Sequence, residues 1–174
     1  MLELYDYELS GNCYKIRLIL SFLNLDYISK KIEFYPSEEH KSEVFLKINP
    51  LGQLPVISDG GLILRDAQAI LVYLASKYDK ANKWYNVNDP EMLGSVSQWL
   101  AFGDSITGSA SAARLHDTLF YNNFDIDKCR ETAHSQFRIL DEHLFFQEEL
   151  GCKWICKGEC PSIADIACFP YAAL

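Results

Sequence analysis

Along the first 78 residues, short apolar runs alternate with amphipathic stretches. Leu2 to Tyr7 is a run rich in Leu and Tyr, and Ser10-Gly11-Asn12 reads as a turn. Ile16, Ile19, Leu20 and Leu23 then recur at the i, i+3, i+4, i+7 spacing of one helix face. Tyr27 to Ile32 predicts a second strand, which a right-handed crossover would set parallel to the first. Phe34 to Asn49 is polar with a few apolar anchors (Val44, Phe45, Ile48), consistent with a loop and a short helix. Beyond the turn signal Asn49-Pro50-Leu51-Gly52, Val56-Ile57-Ser58, Asp59-Gly60-Gly61 and Leu62-Ile63-Leu64 spell strand, tight turn and strand. A helix follows from near Asp66, with Ala67, Ile70, Leu71, Leu74 and Tyr78 on one face. The predicted order is β-α-β-α-β-β-α.

From Asp79 the periodicity lapses, and a polar stretch leads to Asp89-Pro90, a helix-start signal. The domain reading is therefore residues 1–78, a linker over 79–88 and a helical half over 89–174. One helical pattern runs through Trp99, Leu100, Phe102 and Ile106, another through Ala133, Phe137, Leu140 and Leu144. A further helix opens at Ser162-Ile163-Ala164-Asp165, a capping box with Asp in place of the usual Glu or Gln. The expected fold class is α/β followed by all-α.

Composition adds exclusions. The 174 residues are 49% hydrophobic and 23% charged with no biased tract, which favours packed cores over long disorder. A formal net charge of -8 with scattered basic residues repels phosphate backbones and anionic head groups, so neither nucleic acid nor a membrane surface is expected as a partner. The longest apolar runs, such as Ile70 to Ala75, fall far short of the roughly 20 residues of a membrane span. No basic-plus-apolar signal leads the chain, and a cytoplasmic protein is expected. Six cysteines (Cys13, Cys129, Cys152, Cys156, Cys160, Cys168) then read as free thiols rather than a disulfide framework. The even spacing of Cys152, Cys156 and Cys160 invites a zinc reading, but no further ligand follows at a diagnostic spacing, and no metal is expected.

The segments S-G-N-C-Y-K-I-R-L from Ser10, N-P-L-G-Q-L-P-V from Asn49, L-R-D-A-Q-A-I-L-V-Y-L-A from Leu64 and P-S-I-A-D-I-A from Pro161 occur in order along the chain. Together they resemble the cytosolic glutathione transferase superfamily. The resemblance implies a thioredoxin-like βαβαββα N-terminal domain, a helical C-terminal domain, glutathione as co-substrate, a homodimer and a role in detoxification. Against that family the helical half is expected to be incomplete, because the chain stops at Leu174 inside the helix that opens at Ser162. Ala67 also departs from it, since many members carry Ser there to bind the γ-glutamyl carboxylate.

Pro55 has no N–H and sits where the third strand starts. It is either an ordinary turn proline or, as the resemblance implies, a cis proline that presents the Leu54 backbone to glutathione as to a short added strand. Asp66 is a helix N-cap in its own right. Resemblance adds that the Asp66, Ala67, Gln68 turn receives the γ-glutamyl end, whose carboxylate meets helix N-terminal N–H groups. His40 and Lys41 resemble positions that bind the glycyl carboxylate, and Gln53 resembles a further contact. The competing reading of a His-Lys pair in a polar loop is plain solvation.

A free thiol with a pKa near 8.5 is only about 3% thiolate at pH 7, and lowering it by two units corresponds to about 2.7 kcal/mol. The Ser10 hydroxyl and Asn12 amide, at the start of a helix, are donors suited to that task. Ser-x-Asn-x-x-Lys resembles the signature of bacterial and fungal transferases that reduce disulfides, as well as of serine-using classes. Tyrosine is out of register, because the tyrosine-using spacing lands on Asp6, between Tyr5 and Tyr7. Cys13 closes what would be a C-x-x-C site with Ser10 in place of its first cysteine. Dithiol chemistry is thereby excluded, whereas a mixed disulfide of Cys13 with glutathione stays open. Ser10, Asn12 and Cys13 remain alternatives as the thiol partner, and Ser10 can equally be a helix cap.

The function expected is a glutathione transferase that conjugates the thiolate to a small hydrophobic electrophile or reduces a glutathione mixed disulfide. Trp99, Phe102 and Ile106 would face the second substrate between the domains or, as their helical spacing favours, pack in a core. The alternative is a non-catalytic binding or scaffold protein that keeps the fold.

Overall fold

The computed structural model describes residues 1–119 and 124–173. Leu174, where the sequence reading ends its incomplete helical half, lies outside them. Two compact units emerge, Met1–Tyr78 and Asp79–Leu174. The first contains β1 (Glu3–Asp6), α1 (Gly11–Phe22), β2 (Ile28–Lys31), α2 (Glu43–Ile48), β3 (Val56–Asp59), β4 (Leu62–Arg65) and α3 (Ala67–Tyr78). A single 3-10 turn, Glu39–Lys41, precedes α2. The second contains α4 (Pro90–Leu119), α5 (Ile126–Glu149) and α6 (Ile163–Ala173).

The sheet order is β2-β1-β3-β4, with β1 parallel to β2 and antiparallel to β3, and β3 antiparallel to β4. This is the thioredoxin-like arrangement. Alternation along each strand sends Leu4 and Ile57 to one face and Tyr5 and Val56 to the other. Leu4 and Ile57 are fully buried, as are Ile16, Ile19 and Leu20 of α1 and Ile70, Leu71 and Leu74 of α3. Each such side chain contributes about 1.5–3 kcal/mol relative to exposure. On the opposite face Val56 packs with Ile32 and Phe45, and Tyr5, Ile48 and Leu54 close that cluster.

The predicted strands stand with shifted ends. β2 begins at Ile28 rather than Tyr27, and its residues are exposed, as an edge strand allows. β3 runs on through Asp59, so the hairpin turn is Gly60-Gly61 alone, with φ of 59° and 92°. Two successive left-handed residues make the tight turn whose twist matches that of the strands, and glycine supplies them without strain.

In the helical unit Pro90 opens α4, and the Asp89 carboxylate caps it by accepting from the Glu91 and Met92 N–H groups (3.0 and 3.1 Å). Gly103 lets α4 approach α6, since a Cβ there would lie 3.1 Å from the Cβ and carbonyl oxygen of Ala167. Between α4 and α5, Ser109 donates to Gln136 Oε1 while Gln136 Nε2 donates to Ser105. Trp99 and Ile106 are buried here, with the Trp99 ring edge-on to Phe102 (5.0 Å) and 4.3 Å from His143. The capping box forms as read: Asp165 accepts from the Ser162 N–H (2.8 Å), and Ser162 Oγ accepts from the Ala164 N–H (3.2 Å). Asp165 also accepts from the Ile155 N–H (2.9 Å), which ties the cysteine-bearing loop to α6.

Residues 79–88 are not helical; turns there are fixed by the Asp79 carboxylate, which accepts from Ala81 (3.2 Å) and Trp84 (2.6 Å) N–H groups. Among the described residues, no helix is long and apolar enough to cross a membrane, and no group of three or more His, Cys, Asp or Glu side chains could hold a metal ion. All six cysteines are free thiols.

Candidate functional site

Strand register gathers the candidate residues. Tyr5 pairs with Val56 and Val56 with Arg65, so these three form one row at one end of the sheet. The chain leaves that end after β1 towards Ser10 and Asn12, arrives through Gln53, Leu54 and Pro55 before β3, and leaves again after β4 towards Asp66 and Ala67. Parallel pairing of Asp6 with Lys31 brings the end of β2, and the segment that leads to His40, to the same end.

Ser10 is the N-cap of α1, in extended conformation (φ -78°, ψ 120°), and its Oγ accepts from the Cys13 N–H at 3.2 Å. The Ser10 N–H donates to Tyr7 O (3.0 Å), closing the connection from β1 into a tight turn. Ser10 and Asn12 are half-buried. No acidic residue occupies the first turn of α1, so nothing there offsets the partial positive charge of the helix N-terminus.

Cys13 is fully buried, and its Sγ accepts from the Tyr7 N–H at 3.5 Å. Burial pushes the thiol up to about 12, outweighing the downward pull of the Ser10 hydroxyl and the Tyr7 N–H. The mixed disulfide left open by the sequence therefore finds neither access nor a thiolate at Cys13. One turn further on, Arg17 engages the Asp6 carboxylate and donates to Tyr7 O (3.4 Å) and Glu8 O (3.0 Å). Sequence reasoning passed over Arg17. The available signal was an acid at the end of a strand and an arginine early in the next helix.

His40 corrects the picture of a solvated loop. It is 4% exposed in the 3-10 turn and stacks on Phe34 (4.1 Å between ring centres, 12° apart), which lies 5.6 Å from the Tyr7 ring. Its Nδ1 is buried with no hydrogen-bond partner among the described residues. Burial, then the charge of Lys41, holds its pKa below the usual histidine range, while Glu38 pulls the other way. Lys41 itself pairs with Glu38 at 2.6 Å. Gly52, with φ 58°, approaches the His40 backbone so closely that a Cβ would sit 3.0 Å from His40 O. Buried Asn49 braces the same loop: its Oδ1 accepts from the Leu51 N–H (3.1 Å) and its Nδ2 donates to Gln53 O (2.8 Å). The Gln53 side chain is exposed, Leu54 is half-buried, and the peptide bond to buried Pro55 is cis, as the resemblance implied.

Asp66 has φ 75°, and its Oδ1 accepts from the Ala69 N–H at 2.9 Å, so the carboxylate caps α3. Ala67, the first residue of α3, is buried. Two helix N-termini and the Leu54 backbone thus belong to segments that converge on one end of the sheet. Such a frame suits an anionic, peptide-like ligand.

Residues 4–83 match the family model described as Glutathione S-transferase, N-terminal domain. Human glutathione S-transferase theta-2 is 42% identical over 72 residues, 41% of this chain and 29% of that protein. Mouse glutathione S-transferase theta-1 is 32% identical over 121 residues, 69% of this chain and 50% of that protein. The chain thus spans no more than half the length of these two relatives. A solved glutathione transferase homolog from Lodderomyces elongisporus, with two GSH per subunit, superposes with a TM-score of 0.84 at 28% identity, covering 98% of this chain and 82% of that one.

Proposed function

We propose that the chain, whose residues 4–83 match the glutathione S-transferase N-terminal domain, is a member of the cytosolic glutathione transferase superfamily that binds glutathione at the sheet end shared by β1, β3 and β4 and ionises its thiol at the N-terminus of α1. The observation that carries this reading is the sheet end marked by the Tyr5, Val56, Arg65 row, where the segments bearing Ser10, Leu54 and Asp66 meet and to which the Asp6–Lys31 pair brings the segment that leads to His40. The Leu54 backbone pairs with the cysteinyl unit, the start of α3 at Asp66 and Ala67 receives the γ-glutamyl end, and His40 with Gln53 receives the glycyl end. Because an orphaned buried N–H is costlier than an orphaned acceptor, the neutral His40 ring carries its proton on Nε2 and donates from there. The Ser10 hydroxyl, with the Asn12 amide beside it, donates to the thiolate.

Both candidate reactions start from that thiolate. In conjugation the sulfur forms a bond to an electrophilic carbon while the leaving group departs with its electron pair. In disulfide reduction the thiolate attacks the glutathione sulfur of a mixed disulfide, forming oxidised glutathione, and the released thiolate takes up a proton. A small hydrophobic second substrate, a homodimer, a cytoplasmic location and a role in detoxification are further parts of the proposal.

The test is conjugation of a chlorodinitrobenzene and reduction of a glutathione mixed disulfide by wild type and by Ser10→Ala/Asn12→Ala. Restoring the thiol to its ordinary pKa should slow both reactions about 25-fold at pH 7, from the loss of thiolate alone. Full activity in the double variant contradicts the roles of Ser10 and Asn12. Ala67, which lacks the hydroxyl many members use, speaks for the scaffold reading, and folded wild type that binds glutathione yet performs neither reaction would establish it.

A further inference from the structure

Resting on that function, we propose that Arg17 is a positioning residue: its guanidinium clamps the connection from β1 to α1 and so fixes where the Ser10 hydroxyl stands. Arginine presents N–H donors in a rigid planar fork, and here they meet acceptors on successive residues. Arg17 engages the carboxylate of Asp6, the last residue of β1, and donates from Nη1 to Tyr7 O (3.4 Å) and from Nη2 to Glu8 O (3.0 Å).

Tyr7 O is shared, because the Ser10 N–H also donates to it at 3.0 Å. The chain of contact is therefore short: guanidinium to Tyr7 carbonyl to Ser10 backbone. From the core side the Tyr7 N–H is held by Cys13 Sγ. Glu8 and Leu9, the remaining residues of the connection, are exposed and offer little packing to hold it. Asp6 is 9% exposed and balances the charge of Arg17, so the effect on Ser10 is one of geometry rather than of field. Arg17 acts through the connection.

Two variants of the full chain separate fork from charge. Arg17→Lys keeps the ion pair with Asp6 but cannot reach both carbonyls, and Arg17→Met keeps neither. In ligand-free protein, amide exchange should quicken at Tyr7 and Ser10 in both variants while α3 amides stay unchanged. In the glutathione complex, the thiolate absorbance midpoint should rise by about one pH unit in both, a tenfold loss of thiolate well below the midpoint. Binding of S-methylglutathione, which has no thiol to ionise, should stay within about twofold of wild type if the rest of the frame is intact. Unchanged exchange and midpoint in either variant, or full rescue by lysine, overturns the clamp. Quickened exchange in variants of a wild type that never lowers the thiol midpoint supports the clamp on the connection and overturns the proposed function instead.

Discussion

Burial separates the polar groups near the start of α1 into reactive and inert. Cys13 and Ser10 are linked through the Cys13 N–H, yet the thiol is sealed while the hydroxyl is half-buried. Alkylation of native protein at mildly alkaline pH should label exposed Cys160 first and leave Cys13 and Cys168 unmodified, read by peptide mass spectrometry. Labelling of Cys13 at the rate of Cys160 would contradict its burial. His40 yields a second expectation. Its lowered pKa keeps the free ring neutral, and a proton added on binding would sit on the buried Nδ1 that has no partner among the described residues, so the neutral Nε2–H makes the contact. S-methylglutathione should therefore bind with the same affinity between about pH 7 and about pH 8, and His40→Ala should weaken that binding about tenfold, read by calorimetry. Affinity unchanged in His40→Ala would contradict the contact. The caps at Ser10 and Asp66 were legible because capping needs only neighbouring residues. The burial of His40 was not, because it depends on the Phe34 ring and on the approach of Gly52.

The hairpin and α3 are joined by a cluster that the sequence hid. Asp59 Oδ2 accepts from Lys77 Nζ (2.7 Å), Tyr78 OH (2.5 Å) and Tyr73 OH (2.8 Å). The Lys77 bond first, then Tyr78, holds the Asp59 carboxyl at about 2, below the ordinary carboxylate range. Because the folded value lies below the unfolded one, the carboxylate stabilises the fold at neutral pH and that contribution is lost as pH falls from about 4 towards 2. Asp59→Asn should melt at a lower temperature at neutral pH and show a shallower decline across that acid window; identical acid curves would contradict the account. Asp59 read from sequence as a turn residue, and its partners are supplied by the far end of α3. The capping box at Ser162 was legible for the opposite reason, since both its members lie within one helical turn.

Across the first unit, element order was written in the periodicity, but strand order was not. Alternation marks a strand without naming its neighbours: the crossover pairs β1 with β2 and the tight turn pairs β3 with β4, but the join of β1 to β3 that completes the β2-β1-β3-β4 sheet is implied by the resemblance alone. The register of that sheet makes separate segments into one candidate site, and it explains why residues from 10 to 67 can serve a single ligand. For Arg17 the sequence displays only the acid at Asp6; its other two partners are backbone carbonyls, which no residue pattern displays. The proposed function turns on the sulfur of a bound ligand, which the thiolate absorbance of glutathione on the full chain, followed against pH, reads directly. A midpoint about two units below the ordinary thiol value near 8.5 is expected. A midpoint at the free value, or folded protein that binds no glutathione, would contradict it.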